Sequence, residues 1–221
     1  MLKILIVDDR VDTREHLKEL IELNLPDDAE IAVEDTFPLQ DLKDYPSYVR
    51  EHNISALVLD ERLNEDKNPE LGTHADYYGH DVVDFLRSRL PDFPVYVVTT
   101  HATDQDLMVK ESQFEDIVDR DKFQQSADIY TARIQRAASR FQDAMRQHLL
   151  NLNSLTLKAV TGTLSEADHK LLTSTREMLG LPFTADTDLV LSDLVAHARE
   201  LSILSTELLK KLKEKKWGGD L

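Results

Sequence analysis

The sequence predicts a doubly wound α/β domain, a five-stranded parallel sheet with helices on both faces, followed by an α-helical region. Three observations carry this. Short apolar runs of strand length alternate five times with stretches of helical periodicity. The runs "ILIV" and "ALVL" lack a polar side chain on either face, as in strands covered on both sides. Beyond Lys122 the strand pattern stops and only helical spacing remains.

"LKILIVDD" is the first strand, and "TREHLKELIELN" follows with Leu17, Leu20 and Ile21 at helical spacing. "EIAVEDTF" reads as the second strand. "DLKDYPSYVREHN" reads as a helix, interrupted or begun late at Pro46. "ISALVLD" is a third, buried strand, and "HDVVDFLRSRL" a helix closed by Pro91. "FPVYVVTT" is the fourth strand, "DQDLMVKES" a helix and "FEDIVD" a short fifth strand. A long helical stretch starts near Asp121, its early part packing on the sheet, and "TGT" at 161–163 breaks it. Ser165 and Asp168 then stand at capping-box spacing, with Gly180 and Pro182 as stop signals. A last helix is expected from Asp188 to Lys216, with Leu191, Leu194, Leu201 and Leu208 near a heptad seam. The division expected is an α/β domain over 1–125 and a helical extension over 126–221, a bundle or dimerisation region.

Charge narrows the partners. The chain of 221 residues has 42 acidic and 26 basic side chains, a net charge of −16. Residues 151–221 hold 10 acidic and 9 basic groups, so the excess lies in 1–150. Such a body repels nucleic-acid phosphates and anionic membranes, so neither is an expected partner. The basic tail "KKLKEKKW" suits the negative pole of a helix end. No run is long and apolar enough to span a membrane, and the run at Leu2 begins too early for a signal peptide. With no cysteine there is no disulfide framework, which fits a reducing cytoplasm, the expected location.

Asp8, Asp9, Asp60, Thr99 and Thr100 all fall at carboxyl ends of expected strands, where doubly wound sheets bind ligands. Three carboxylates converging on one crevice repel one another unless a cation neutralises them. Oxygen-only ligands suit a hard ion such as Mg2+, with phosphate oxygens completing its shell. A hydroxyl and a basic group nearby would hold a phosphoryl group, which is phosphoryl-transfer chemistry.

In these residues the first 125 or so positions resemble the receiver domain of two-component response regulators, a flavodoxin-like fold. The resemblance rests on "VDD" (Asp8, Asp9), "LVLDERL" (Asp60), "PVYVVTT" (Thr99) and the run from Gly79 into the fourth strand. It implies that Asp8, Asp9 and Asp60 bind Mg2+, with the backbone carbonyl of Arg62 as a further ligand. It also implies that Asp60 is the phosphoacceptor, that Thr99 bonds the phosphoryl group, and that the donor is a histidine kinase or phosphotransfer protein. Arg120 falls where the family has a lysine, Asp121 where it has a proline, and Ile117 where it has an aromatic residue. An arginine's planar fork is no simple replacement for an ammonium, and Lys122 is an alternative under a shifted alignment. Without the aromatic residue, the family's threonine–aromatic switch is not expected.

The loop "NEDKNPELGTHADYY" is about ten residues longer than the family pattern. Tyr77 and Tyr78 could make it a docking edge, and a tolerated surface insertion is an equal reading. His74, Asp76 and His80 are read as solvent-exposed rather than metal-ligating, and His148, His169 and His197 as helix-surface residues. The function expected is an atypical response regulator, phosphorylated on Asp60 and signalling through its helical region by homodimerisation or partner binding. It would have at most weak self-phosphorylation and dephosphorylation activity. The alternative is a degenerate receiver acting as a phosphorylation-independent interaction module. A phosphatase on a related sheet is disfavoured, because "VDDR" lacks a carboxylate two residues after Asp8.

Overall fold

The computed structural model describes residues 1–69 and 71–179. The expected last helix, its leucine seam, Gly180, Pro182, His197 and the basic tail lie outside them. By its internal contacts the chain divides into two units, Met1–Ala144 and Met145–Leu221.

In the first unit, five strands form one parallel sheet: β1 (Leu2–Val7), β2 (Ile31–Thr36), β3 (Ala56–Leu59), β4 (Val95–Thr99) and β5 (Asp116–Asp119). Their order, β2-β1-β3-β4-β5, is the flavodoxin-like one, with its switch point between β1 and β3. The chain leaves β1 to build one side of the sheet and returns to build the other. The carboxyl ends of β1 and β3 therefore flank the crevice.

The expected strands form because their side chains are covered on both faces. Every residue of β3 and β4 is buried. One face packs Ile4, Ile6, Val58 and Val98 against Leu17 and Ile21 of α1 (Val11–Leu23). Alternation turns Leu5, Val7, Leu57 and Leu59 to the other face. Buried side chains of α2 (Tyr45–Glu51) and α3 (Gly79–Arg87) supply the cover there: Tyr45 and Val49, then Val82, Val83 and Leu86. Each such aliphatic burial stabilises by about 1.5–3 kcal/mol. Pro46 does not interrupt a helix but starts one, sitting in the first turn of α2, where its missing N–H costs nothing.

Two helices differ from expectation. "DQDLMVKES" yields only α4 (Gln105–Val109) and a 3-10 turn, because Leu107 is its one buried residue. The helical run after β5 is split by Ser126 into α5 (Arg120–Gln125) and α6 (Ala127–Thr161). Ser126 closes the first helix through its N–H and opens the second through its carbonyl, which accepts from Ile129 and Tyr130. The early part of α6 packs on the sheet: Ile134, Ala137 and Ala138 lie in the core, and Phe141 meets Phe93 edge-on at 5.1 Å.

In the second unit α6 ends at the expected break, where Gly162 has φ +69°. The next helix, α7 (Glu166–Met178), begins with the anticipated capping box: the Ser165 N–H donates to Asp168 Oδ2 at 2.9 Å and the Asp168 N–H to Ser165 Oγ at 3.1 Å. Lys158 and that serine hold the Asp168 carboxyl well below the usual range.

Candidate metal centre

Asp8 and Asp9 follow β1 and Asp60 follows β3, so the turn of the chain brings all three into the switch-point crevice. All are buried, at 2%, 3% and 8% exposure, and ligating oxygens of the three lie within 4.8 Å of one another. The Asp60 N–H donates to the Val7 carbonyl at 2.9 Å, continuing the β1–β3 ladder one step beyond the strands. Gly79 fixes the other side of Asp60. A Cβ there would lie 2.4 Å from the Asp60 carbonyl oxygen, so only glycine allows α3 to start this close.

Arg120, the first residue of α5, reaches into the crevice. Its Nη2 lies 3.1 Å from Asp8 Oδ2 and 3.2 Å from Asp60 Oδ1. Asp119 aims it by capping α5, accepting from the backbone N–H groups of Asp121 and Lys122 at 3.1 and 3.2 Å. Lys122 itself is exposed on the first turn of α5, so the cation between the carboxylates is Arg120.

One guanidinium does not offset three buried carboxylates. Burial first, then repulsion from Asp60, pushes the Asp8 carboxyl up to about 6, despite the Arg10 N–H and Arg120. Burial also raises Asp9, against two backbone N–H donors, Asp66 at 2.6 Å and Glu65 at 2.8 Å, both to Oδ2. Asp9 Oδ1 and Asp60 Oδ1 are buried and accept no hydrogen bond. Asp9 Oδ1 thus has no partner and Asp60 Oδ1 only the Arg120 ion pair, and hard oxygens in a crevice of excess negative charge fit a small divalent cation.

Thr99 ends β4, fully buried, and its Oγ1 accepts from the His101 N–H at 3.2 Å. Arg62, two residues past Asp60, sends its guanidinium away from the carboxylates, to Asp104 at 2.7 Å and over the Tyr78 ring at 5.5 Å. Ile117 sits half-buried on β5, paired with Val97.

Tyr77 is not part of an exposed docking edge, while Tyr78 is half-buried. Tyr77 is buried, 3.1 Å from the Tyr45 hydroxyl, and its own hydroxyl donates to the Leu39 carbonyl. Burial pushes the Tyr45 phenol up to about 12. Tyr78 stacks on His80 at 5.5 Å. His80 is mostly covered rather than solvent-exposed: its Nδ1 lies 2.5 Å from Oε1 of the buried Glu61. Among the described residues, the Asp8–Asp9–Asp60 trio is the one group of three with metal-ligating atoms this close. The Glu65 and Asp66 amides escaped sequence reasoning, since a backbone donor has no residue signature; the loop's length was the available signal.

No family model matches the sequence, and no curated protein matches it. Solved structures similar to it include response regulator receiver domains, and the helical extension is unmatched. The non-phosphorylated HemR receiver domain from Leptospira biflexa is 21% identical, covering 63% of this chain and 95% of its own, at a TM-score of 0.44. A response regulator receiver domain protein from Clostridium thermocellum is 17% identical, covering 64% and 98%, at 0.45. The response regulator protein TrrA from Thermotoga maritima, solved with Mg2+ and BeF, is 17% identical, covering 62% and 99%, at 0.44. Among the described residues, no helix is long and apolar enough to cross a membrane.

Proposed function

We propose that the first unit is a response-regulator receiver that accepts a phosphoryl group on Asp60 with Mg2+ and signals through the helical region. The observation that carries this reading is the trio of buried carboxylates at the switch point, with Arg120 between Asp8 and Asp60. An Asp60 carboxylate oxygen would attack the phosphorus of a phosphohistidine. A new O–P bond forms while the N–P bond breaks, and its electron pair leaves with the imidazole nitrogen. Mg2+, held by Asp8, Asp9, Asp60 and the Arg62 carbonyl, would neutralise the phosphoryl oxygens. Arg120 would swing from Asp8 onto those oxygens, and the Thr99 hydroxyl would donate to one of them. The donor would be a histidine kinase or phosphotransfer protein. The output would be homodimerisation or partner binding by the helical region, with no more than weak intrinsic turnover.

Incubating the full chain with Mg2+ and acetyl phosphate should add the mass of one phosphoryl group, and Asp60→Asn should add none. No gain in the wild-type chain, together with no beryllofluoride binding, would leave a phosphorylation-independent interaction module instead. Light scattering with and without beryllofluoride tests the output: an unchanged monomer at micromolar concentration would sink the dimer.

A further inference from the structure

We propose that the loop backbone at Glu65 and Asp66 is a clamp that positions Asp9 for the divalent cation, so that loop closure and cation binding are linked. This rests on the Mg2+ reading above and extends it to a part of the chain that the receiver pattern lacks.

The clamp's working parts are two successive amides. The N–H groups of Glu65 and Asp66 both donate to Asp9 Oδ2, at 2.8 and 2.6 Å. Held at one oxygen by two donors, the carboxylate cannot rotate freely. Its other oxygen, Oδ1, is left buried without a hydrogen bond, on a carboxylate that shares its crevice with Asp8 and Asp60. A metal ligand oriented through its second atom is the usual task of outer-shell partners, whose loss costs about 10- to 100-fold in metal affinity. Here the outer shell is a loop's backbone.

The loop is fastened in ways that aim those amides. Leu63 is fully buried. Arg10 bridges Glu65 at 2.5 Å and Asp66 at 3.5 Å. Gln40 Nε2 donates to Thr73 Oγ1 at 2.7 Å, and Tyr77 is bonded to Leu39 and Tyr45. A loop serving only as a tolerated insertion has no need of fastening on both sides of the amides that meet Asp9. If the closed loop orients a cation ligand, the cation must favour the closed loop by the same factor.

The test uses the full chain and two readouts: Mg2+ affinity by calorimetry, and hydrogen exchange of peptides covering 63–69 with and without Mg2+. Asp66→Pro removes one donor and should weaken Mg2+ binding about 10-fold or more. Asp66→Ala keeps the amide and loses only an exposed ion pair, so it should cost no more than about fivefold. In the wild-type chain, saturating Mg2+ should slow exchange across 63–69, an arm that stands even if the proline variant does not fold. Wild-type binding with unaltered affinity in Asp66→Pro, or exchange indifferent to Mg2+, overturns the clamp and leaves the cation site intact. A wild-type chain that binds no Mg2+ removes both.

Discussion

Replacing Asp8 by asparagine should stabilise the metal-free protein while abolishing its cation site. In the folded chain the Asp8 carboxyl titrates at about 6, against an ordinary 3.8. The native state therefore holds this proton more tightly than the unfolded chain. Stability is full below the unfolded value, falls as pH rises from about 3.8 to about 6, and stays reduced above. At about 1.4 kcal/mol per pH unit, a carboxylate at Asp8 costs about 3 kcal/mol at pH 7.5. The side chain is only 2% exposed, so solvent screening removes little of this, and the attraction of Arg120 is already contained in the value. Asp8→Asn keeps an oxygen for the Arg10 N–H, now 2.8 Å from Oδ1, and discards the charge. Urea unfolding in EDTA should show a gain of about 3 kcal/mol at pH 7.5, shrinking to about half that at pH 5. With millimolar Mg2+ the difference should shrink, since only the wild-type chain gains from the ion. No gain at pH 7.5, or one equal at both pH values, would refute the reasoning.

Other perturbations have clear signs. Gly79→Ala forces a Cβ against the Asp60 carbonyl and should cost about 1–3 kcal/mol in chemical denaturation; an unchanged midpoint would mean that α3 yields easily. Arg120→Ala should lower the melting temperature in EDTA, because it strips the cation from Asp8 and Asp60, and should raise Mg2+ affinity. Equal melting and equal affinity would show Arg120 to be a bystander. Tyr77→Phe removes the Tyr45 hydroxyl's acceptor and the donor to the Leu39 carbonyl, leaving Tyr45 only the Leu39 N–H at 3.4 Å, and should cost about 1–3 kcal/mol, read by thermal unfolding.

The strands were legible because a sheet covered on both faces demands uninterrupted apolar runs, and only a few arrangements join such runs with helices. The carboxylates were legible because strand ends are where such sheets place ligands, so Asp8, Asp9 and Asp60 could be brought together before any geometry was known. Arg120 against Lys122 was not decidable, since both lie in the first turn of one helix and only the Asp119 cap aims the first into the crevice. The short α4 misled because "DQDLMVKES" has helical residues but a single buried anchor. Tyr77 misled for another reason: a tyrosine serves equally well at a surface or in a core, and its buried partner Tyr45 lies 32 positions away.

The crevice also works as a charge-counting device. With all three carboxylates ionised, one guanidinium leaves two negative charges unbalanced. A monovalent ion such as sodium leaves one of them uncancelled, a lanthanide overshoots, and a divalent ion closes the balance. Arg120, paired with both Asp8 and Asp60, thus sets the charge that a bound ion would have to supply.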